Sequence, residues 1–157
     1  MTTLSVDGRR YEVARATESD VAALVALLAD DVLGAQRESA DLAPYLAAFG
    51  EIDRDPNQLL LAVRDEGGDV VGTMQLTLIP GLARGGTKRL QVEGVRLAPS
   101  TRGSGLGTAL FDWAHEYGRR HGATLAQLTS DKTRADAHRF YERLGYEASH
   151  EGLKRPL

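Results

Sequence analysis

One strand-like segment constrains this 157-residue chain more than any other. Between Lys88 and Leu97, Leu90 and Val92 are apolar in one phase of a two-residue alternation, and Val95 and Leu97 in the other. The phase changes at Glu93-Gly94. Strand side chains alternate strictly, so a flip at a glycine predicts a β-bulge; the competing reading is a strand buried on both faces. A bulge leaves backbone N–H and C=O groups unpaired, where a ligand carrying amides fits. The segment then turns at Pro99 into Arg102-Gly103-Ser104-Gly105-Leu106-Gly107-Thr108 and enters an amphipathic helix. Glycines admit close approach of a ligand, and the first helical turn offers unpaired N–H groups at a positive dipole end. Together they predict an anion cradle suited to a pyrophosphate.

The rest of the chain is ordered around this unit. Tyr11–Arg15 reads as a strand, the second arm of a hairpin turning at Asp7-Gly8. Thr17-x-x-Asp20 resembles a capping box, with Val21, Leu24, Val25, Leu28 and Val32 following at helical spacing. A second helix is expected from about Ser39 to Phe49, then a turn over 53–57. Strands are expected at Leu59–Val63 and Val70–Leu78, separated by a turn at Glu66-Gly67-Gly68-Asp69, with Gly72 leaving a gap on one face. After the bulged strand come a helix from about Ser104 to His121 and a strand at Ala123–Thr129. A helix at Ala135–Leu144 closed by Gly145 and a last strand near Glu147–Lys154 complete the chain. The expected fold is one domain over residues 1–157, α/β (α+β), with a mixed, mostly antiparallel sheet, a bulged central strand and about four helices.

Composition removes several classes. No cysteine is present, which excludes disulfides, thiolate metal sites and a cysteine nucleophile. The four histidines form no chelating pair, so no metal is expected. A net charge of −3 argues against a nucleic-acid or anionic-membrane surface, and no apolar run reaches spanning length. With no leader-like N-terminus, a cytoplasmic protein is expected.

Two motifs carry a family resemblance. Arg102-Gly103-Ser104-Gly105-Leu106-Gly107 matches Arg/Gln-x-x-Gly-x-Gly/Ala, and Ala137-His138-Arg139-Phe140-Tyr141-Glu142-Arg143-Leu144-Gly145-Tyr146 matches Ala-x-x-Phe-Tyr-x-x-x-Gly-Phe/Tyr. With this spacing and element order, the chain resembles the GNAT superfamily of acyl-coenzyme A-dependent N-acyltransferases from about Tyr11 to Lys154. The rival is the Rossmann dinucleotide fingerprint. It lacks its third glycine in register, since position 108 is threonine, and too little sequence follows for a doubly wound sheet.

The resemblance implies acetyl-CoA as cosubstrate and no resident cofactor. It places the main chain of Val95 and Leu97 against the pantetheine amides, and Arg102, Gly103, Ser104, Gly105, Leu106, Gly107 and Thr108 around the pyrophosphate. Many members carry Asn where this chain has Arg134; the arginine either replaces that pantetheine contact or serves a phosphate or an acidic substrate group. Tyr141 occupies the family's acid position, and the alternative is a packed helix aromatic. Dimers are common in the family, so a homodimer is an expectation.

Acetyl transfer needs an amine stripped of its proton, because a lysine-like amine titrates near about 10.4. Glu93, at the bulge, is the candidate base, directly or through a water; the alternative is a salt bridge with Arg96, Lys88 or Arg89. Gln91 on the same face can orient a water but cannot take the proton. His138 and His150 also titrate near neutrality, with a surface role expected for His138.

The expected acceptor is a small-molecule primary amine. Asp30, Asp31, Glu38, Asp41, Glu51, Asp53 and Asp55 against Arg37 and Arg54 form either an acidic rim for a cationic amine or a solvated helix face. The segment Asp136–His150 is similar to aminoalkylphosphonate N-acetyltransferases, which points instead to Arg84, Lys88, Arg89, Arg96 or Arg134 holding an acidic group. Acetylation of a protein or peptide amine and a non-catalytic acyl-CoA sensor are the remaining readings.

Overall fold

The computed structural model describes residues 1–30 and 38–157. Six strands form one sheet in chain order, β1 (Thr2–Val6), β2 (Arg9–Arg15), β3 (Gln58–Arg64), β4 (Val70–Ile79), β5 (Lys88–Leu97) and β6 (Ala123–Leu128). Every neighbouring pair is antiparallel except β5 and β6, which run parallel. The Asp7-Gly8 hairpin forms, with both residues at positive φ, so β1 pairs Thr2–Val6 with Val13–Arg9.

Helices α1 (Val21–Ala29) and α2 (Ala43–Arg54) cover one face; α3 (Leu106–Arg120) and α4 (Ala135–Arg143) cover the other. The larger core lies under α3, where Phe111 is fully buried among Leu61, Met74, Leu76, Leu90 and Leu106. The smaller one sets Val21, Leu24, Val25 and Phe49 against Ala62. The Thr17 motif closes as expected: the Thr17 N–H donates to Asp20 Oδ2 at 2.8 Å. Asp20 also takes Arg64 Nη2 at 2.5 Å, tying the start of α1 to β3.

Two expectations are corrected. The second helix begins at Ala43, because Asp41 Oδ1 takes the Ala43 N–H at 3.0 Å and Pro44 follows in the first turn, and it runs on to Arg54. Val32 of the first helical stripe lies outside the described residues. The last strand does not form: 147–157 is exposed and carries no strand, because Glu147, Ser149, His150, Glu151 and Gly152 leave no alternating apolar face. Among the described residues β6 is therefore the edge of the sheet. No helix among them is long and apolar enough to cross a membrane.

Candidate active site

The bulge is where the phase flip placed it. Gln75 pairs with Glu93 and Thr73 with Arg96, so the single residue Met74 faces both Gly94 and Val95. Gly94 adopts φ +58°, which glycine takes without the Cβ penalty. The extra residue keeps Leu90, Val92, Val95 and Leu97 together on the α3/α4 side, in or against the larger core. Gln91, Glu93 and Arg96 share the opposite face. Glu93 is exposed, so the reading of a strand buried on both faces does not hold. Gly72, opposite Leu97, has its gap filled by that leucine: a Cβ there would stand 2.6 Å from Leu97 Cδ2.

Beside the bulge the sheet opens. β6 pairs β5 only from Lys88 to Val92, ending at Leu128, so among the described residues the outer edge from Glu93 to Leu97 has no strand against it. Two residues past Leu128, the Ser130 hydroxyl is buried and makes no hydrogen bond among the described residues. On the α3/α4 side of the sheet, Phe140 and Tyr141 of α4 pack against the larger core. The Val95 carbonyl takes one hydrogen bond, from Arg96 Nη1 at 2.8 Å.

The glycine turn presents donors. The Ala98 carbonyl accepts from Thr101 N–H and Oγ1, at 2.9 and 2.8 Å. The Pro99 carbonyl takes the Arg102 N–H at 3.2 Å, and that of Thr101 takes Ser104 N–H and Oγ at 3.3 and 2.7 Å. Gly105, at φ +82°, precedes the helix with no side chain to cap it. Leu106 N–H reaches Ser104 Oγ at 3.3 Å, and the helical bonds begin with Ala109 N–H to the Gly105 carbonyl at 3.1 Å. The amides of Gly107 and Thr108 thus precede the helical ladder at the positive end of α3. Packing is also tight at Gly107, where a Cβ would lie 3.2 Å from Phe140 Cζ. Arg102 is exposed at the rim of this turn.

Tyr141 sits edge-on to Phe111 and Tyr146, with ring centroids 5.7 and 6.1 Å apart. Burial raises its phenol above the ordinary value, against the opposing pull of the Arg134 and Arg96 guanidinium groups. It therefore remains protonated at neutral pH and able to donate. Arg134 stands at the N-cap of α4. Sequence reasoning missed the clasp around this tyrosine: Tyr146 Oη meets His115 Nε2 at 2.8 Å, 31 residues away. Burial, and secondarily Tyr141, pushes the Tyr146 phenol up to about 12, while burial and Arg119 lower His115 against the pull of Asp112.

Glu93 forms no ion pair among the described residues, so its salt-bridge alternative is not realised there. Lys88 Nζ donates to the His121 carbonyl at 2.9 Å and Arg89 Nη1 to Gln127 Oε1 at 3.4 Å. A row of amides and hydroxyls surrounds Glu93 on its face. Gln75 Nε2 and Thr77 Oγ1 donate to Gln58 Oε1 at 3.1 and 2.8 Å, and Gln127 Nε2 donates to Gln91 Oε1 at 2.7 Å. The alternating polar positions of β4 were the only sequence signal for this floor.

Other candidates resolve structurally. His138 Nε2 bonds the Asp131 carbonyl at 2.8 Å, holding the loop before α4, and exposed His150 meets Ser149 Oγ at 2.8 Å. Within the acidic run, Asp41 and Asp55 hold turn amides and Asp53 lies 3.7 Å from Arg15, which favours the solvated-face reading; Asp31 and Arg37 lie outside the described residues. No group of three metal-ligating side chains occurs among the described residues.

Comparison with known proteins gives the family of the fold. Residues 22–146 match the model of the Acetyltransferase (GNAT) family. An aminoalkylphosphonate N-acetyltransferase of Salmonella typhimurium is 32% identical over 140 residues, 88% of this chain and 86% of that protein. A glucosamine 6-phosphate N-acetyltransferase of Trypanosoma brucei brucei is 34% identical over 90 residues, covering 57% of this chain and 59% of its own. A crystal structure of a transcriptional regulator from Bacillus halodurans C-125 superposes with a TM-score of 0.88 at 44% identity, over 94% of this chain and 99% of that one.

Proposed function

As this chain belongs to the GNAT acetyltransferase family, we propose that it moves the acetyl group of acetyl-CoA onto a primary amine of a small molecule. The amine attacks directly in a ternary complex. The observation carrying the reading is the edge of β5 from Glu93 to Leu97, open among the described residues, which runs in the chain into the donor-lined turn and whose Val95 and Leu97 pack against the same core as Tyr141. The residues fit the cosubstrate: the amides of Gly103 to Thr108 suit the pyrophosphate, with Arg102 beside them, and the main chain of Val95 and Leu97 suits the pantetheine amides. Arg134, where many members carry Asn, stands at the N-cap of α4, near enough to act on the Tyr141 phenol.

Acetyl-CoA supplies an activated thioester. Glu93, exposed at the bulge, takes a proton from the incoming ammonium directly or through a water. Unpaired N–H groups at the bulge meet the negative charge that develops on the acetyl oxygen. As the C–S bond breaks, the Tyr141 hydroxyl gives its proton to the departing sulfur. Such chemistry belongs with a cytoplasmic supply of acetyl-CoA.

Two relatives are named for acceptors bearing a phosphorus acid group. That favours a second reading of the acceptor, an aminoalkylphosphonate-like amine with its anionic end held by groups such as Arg96 or Arg134. The regulator named among the similar structures keeps a sensor without turnover as the contrasting reading, against which the retained Glu93 and Tyr141 stand.

Calorimetry with acetyl-CoA tests the placement. The wild type is expected to bind, and Gly105→Asp to lose binding by crowding and like-charge repulsion. Retained affinity in the variant contradicts the cradle; binding without thiol release for any amine favours the sensor.

A further inference from the structure

The floor beside Glu93 has a fixed polarity that constrains the acceptor more narrowly than its amine. Arg89 can only donate, so its contact with Gln127 Oε1 orients the Gln127 amide with Nε2 towards Gln91. Gln91 must then meet Gln127 with its oxygen. Its own NH2 is left facing away from that pair, and it makes no hydrogen bond among the described residues. On β4 the opposite sense holds. Gln75 gives its Nε2 to Gln58, leaving its carbonyl oxygen beside Glu93, its cross-strand partner. Gln75 and Gln91 are half-buried, whereas Glu93 is exposed.

Resting on the acetyl-transfer reading above, we propose that Gln91 is a specificity residue whose amide N–H groups hold an oxygen of the acceptor while Glu93 and Gln75 Oε1 receive its ammonium. The substrate class is then a primary amine carrying an oxygen acceptor a few bonds from the nitrogen. Gln91 and Glu93 are successive same-face positions on β5, roughly 7 Å apart at the backbone. A ligand N–C–C–O unit, with a hydrogen bond of about 2.9 Å at each end, fits between such side chains. The oxygen is supplied by a hydroxyl or by an acid group, and both share the lone pair that Gln91 reads. A site built to hydrogen-bond such an oxygen rejects an analogue lacking it, because a bound analogue shields the half-buried Gln91 donors from water and leaves them unpaired.

The test compares kcat/KM for propylamine, ethanolamine and 2-aminoethylphosphonate, read as thiol release from acetyl-CoA. The wild type is expected to prefer at least one oxygen-bearing amine over propylamine by tenfold or more. Preference for ethanolamine identifies a hydroxyl, and preference for the phosphonate an anionic oxygen. Gln91→Leu should bring the ratio close to one, mainly through KM of the oxygen-bearing amine. If that variant does not fold, the isosteric Gln91→Glu carries the test, losing the preference and discriminating most against the phosphonate. A wild type that acetylates propylamine equally well, or a preference untouched in both variants, overturns the role of Gln91 and leaves acetyl transfer standing. Failure to acetylate any of the three amines while a wider amine panel yields acetylated product overturns this inference alone; failure across the whole panel while acetyl-CoA binds overturns the acetyl-transfer reading with it.

Discussion

Glu93 and Arg96 are three residues apart in sequence yet stand consecutively on one face of β5, opposite Gln75 and Thr73 of the neighbouring strand. The bulge at Gly94 and Val95 absorbs the odd residue. A carboxylate and a guanidinium thereby stand side by side on the stretch of β5 beyond its last pair with β6, while Val95 and Leu97 stay packed under the sheet.

That relationship depends on the left-handed conformation of Gly94. No atom lies within 4 Å of a Cβ built there, so a substitution is resisted by backbone strain and not by crowding. Gly94→Val is expected to cost roughly 1–2 kcal/mol in urea unfolding and to lower turnover by displacing Glu93. Full stability in the variant would show that the bulge is not held by this residue.

Replacing Glu93 removes the proposed proton acceptor without disturbing an ion pair among the described residues. Glu93→Gln should lower kcat by about 10²–10⁴, the usual range for a placed acid or base. The loss should shrink as pH rises towards the amine's own value, about 10.4 for a lysine-like acceptor, because more amine arrives deprotonated. A deficit independent of pH assigns Glu93 a binding role instead.

Tyr141→Phe keeps the ring packing against Phe111 and removes only the donor. Turnover is expected to fall by about 10²-fold with acetyl-CoA affinity close to wild type. Burial raises the Tyr141 phenol above 10, so the protonated form persists across neutral pH and the wild type should show no loss of this acid until the medium is more alkaline than that. Loss of activity as pH rises between 7 and 9, abolished in the variant, would contradict the raised value.

Much of this site was legible because its causes are local. A phase flip at one glycine, two positive-φ glycines ahead of a helix and the Phe140-Tyr141 pair each act within a few residues. The polar floor was not, because Gln58, Thr77, Gln91 and Gln127 meet only through the register of four strands. The His115–Tyr146 clasp is hidden for the same reason. The expected last strand fails because Glu147–Lys154 supplies no apolar alternation, and α2 starts later than expected because the Asp41 cap and Pro44 set its first turn.

Away from the site, Asp20 offers a test of the fold. Burial raises its carboxyl, but the Thr17 N–H and Arg64 outweigh that and leave the value lowered. With a depressed folded value, its contribution is present above the unfolded value of about 3.9 and is lost as pH falls through the lower folded one. Asp20→Ala should destabilise by roughly 2–3 kcal/mol at pH 7, and the difference from wild type should narrow below pH 4. An unchanged gap at pH 3 would contradict this.

Acetyl transfer at the opened edge of β5 is tested most directly by product stoichiometry. Wild-type protein, acetyl-CoA and an amine panel are incubated, with free thiol and N-acetylated amine quantified together by mass spectrometry. Equimolar thiol and acetylated amine for at least one acceptor, both reduced in parallel by Tyr141→Phe, is the predicted result. Thiol release with no acetylated amine, or full transfer by the variant, would contradict it.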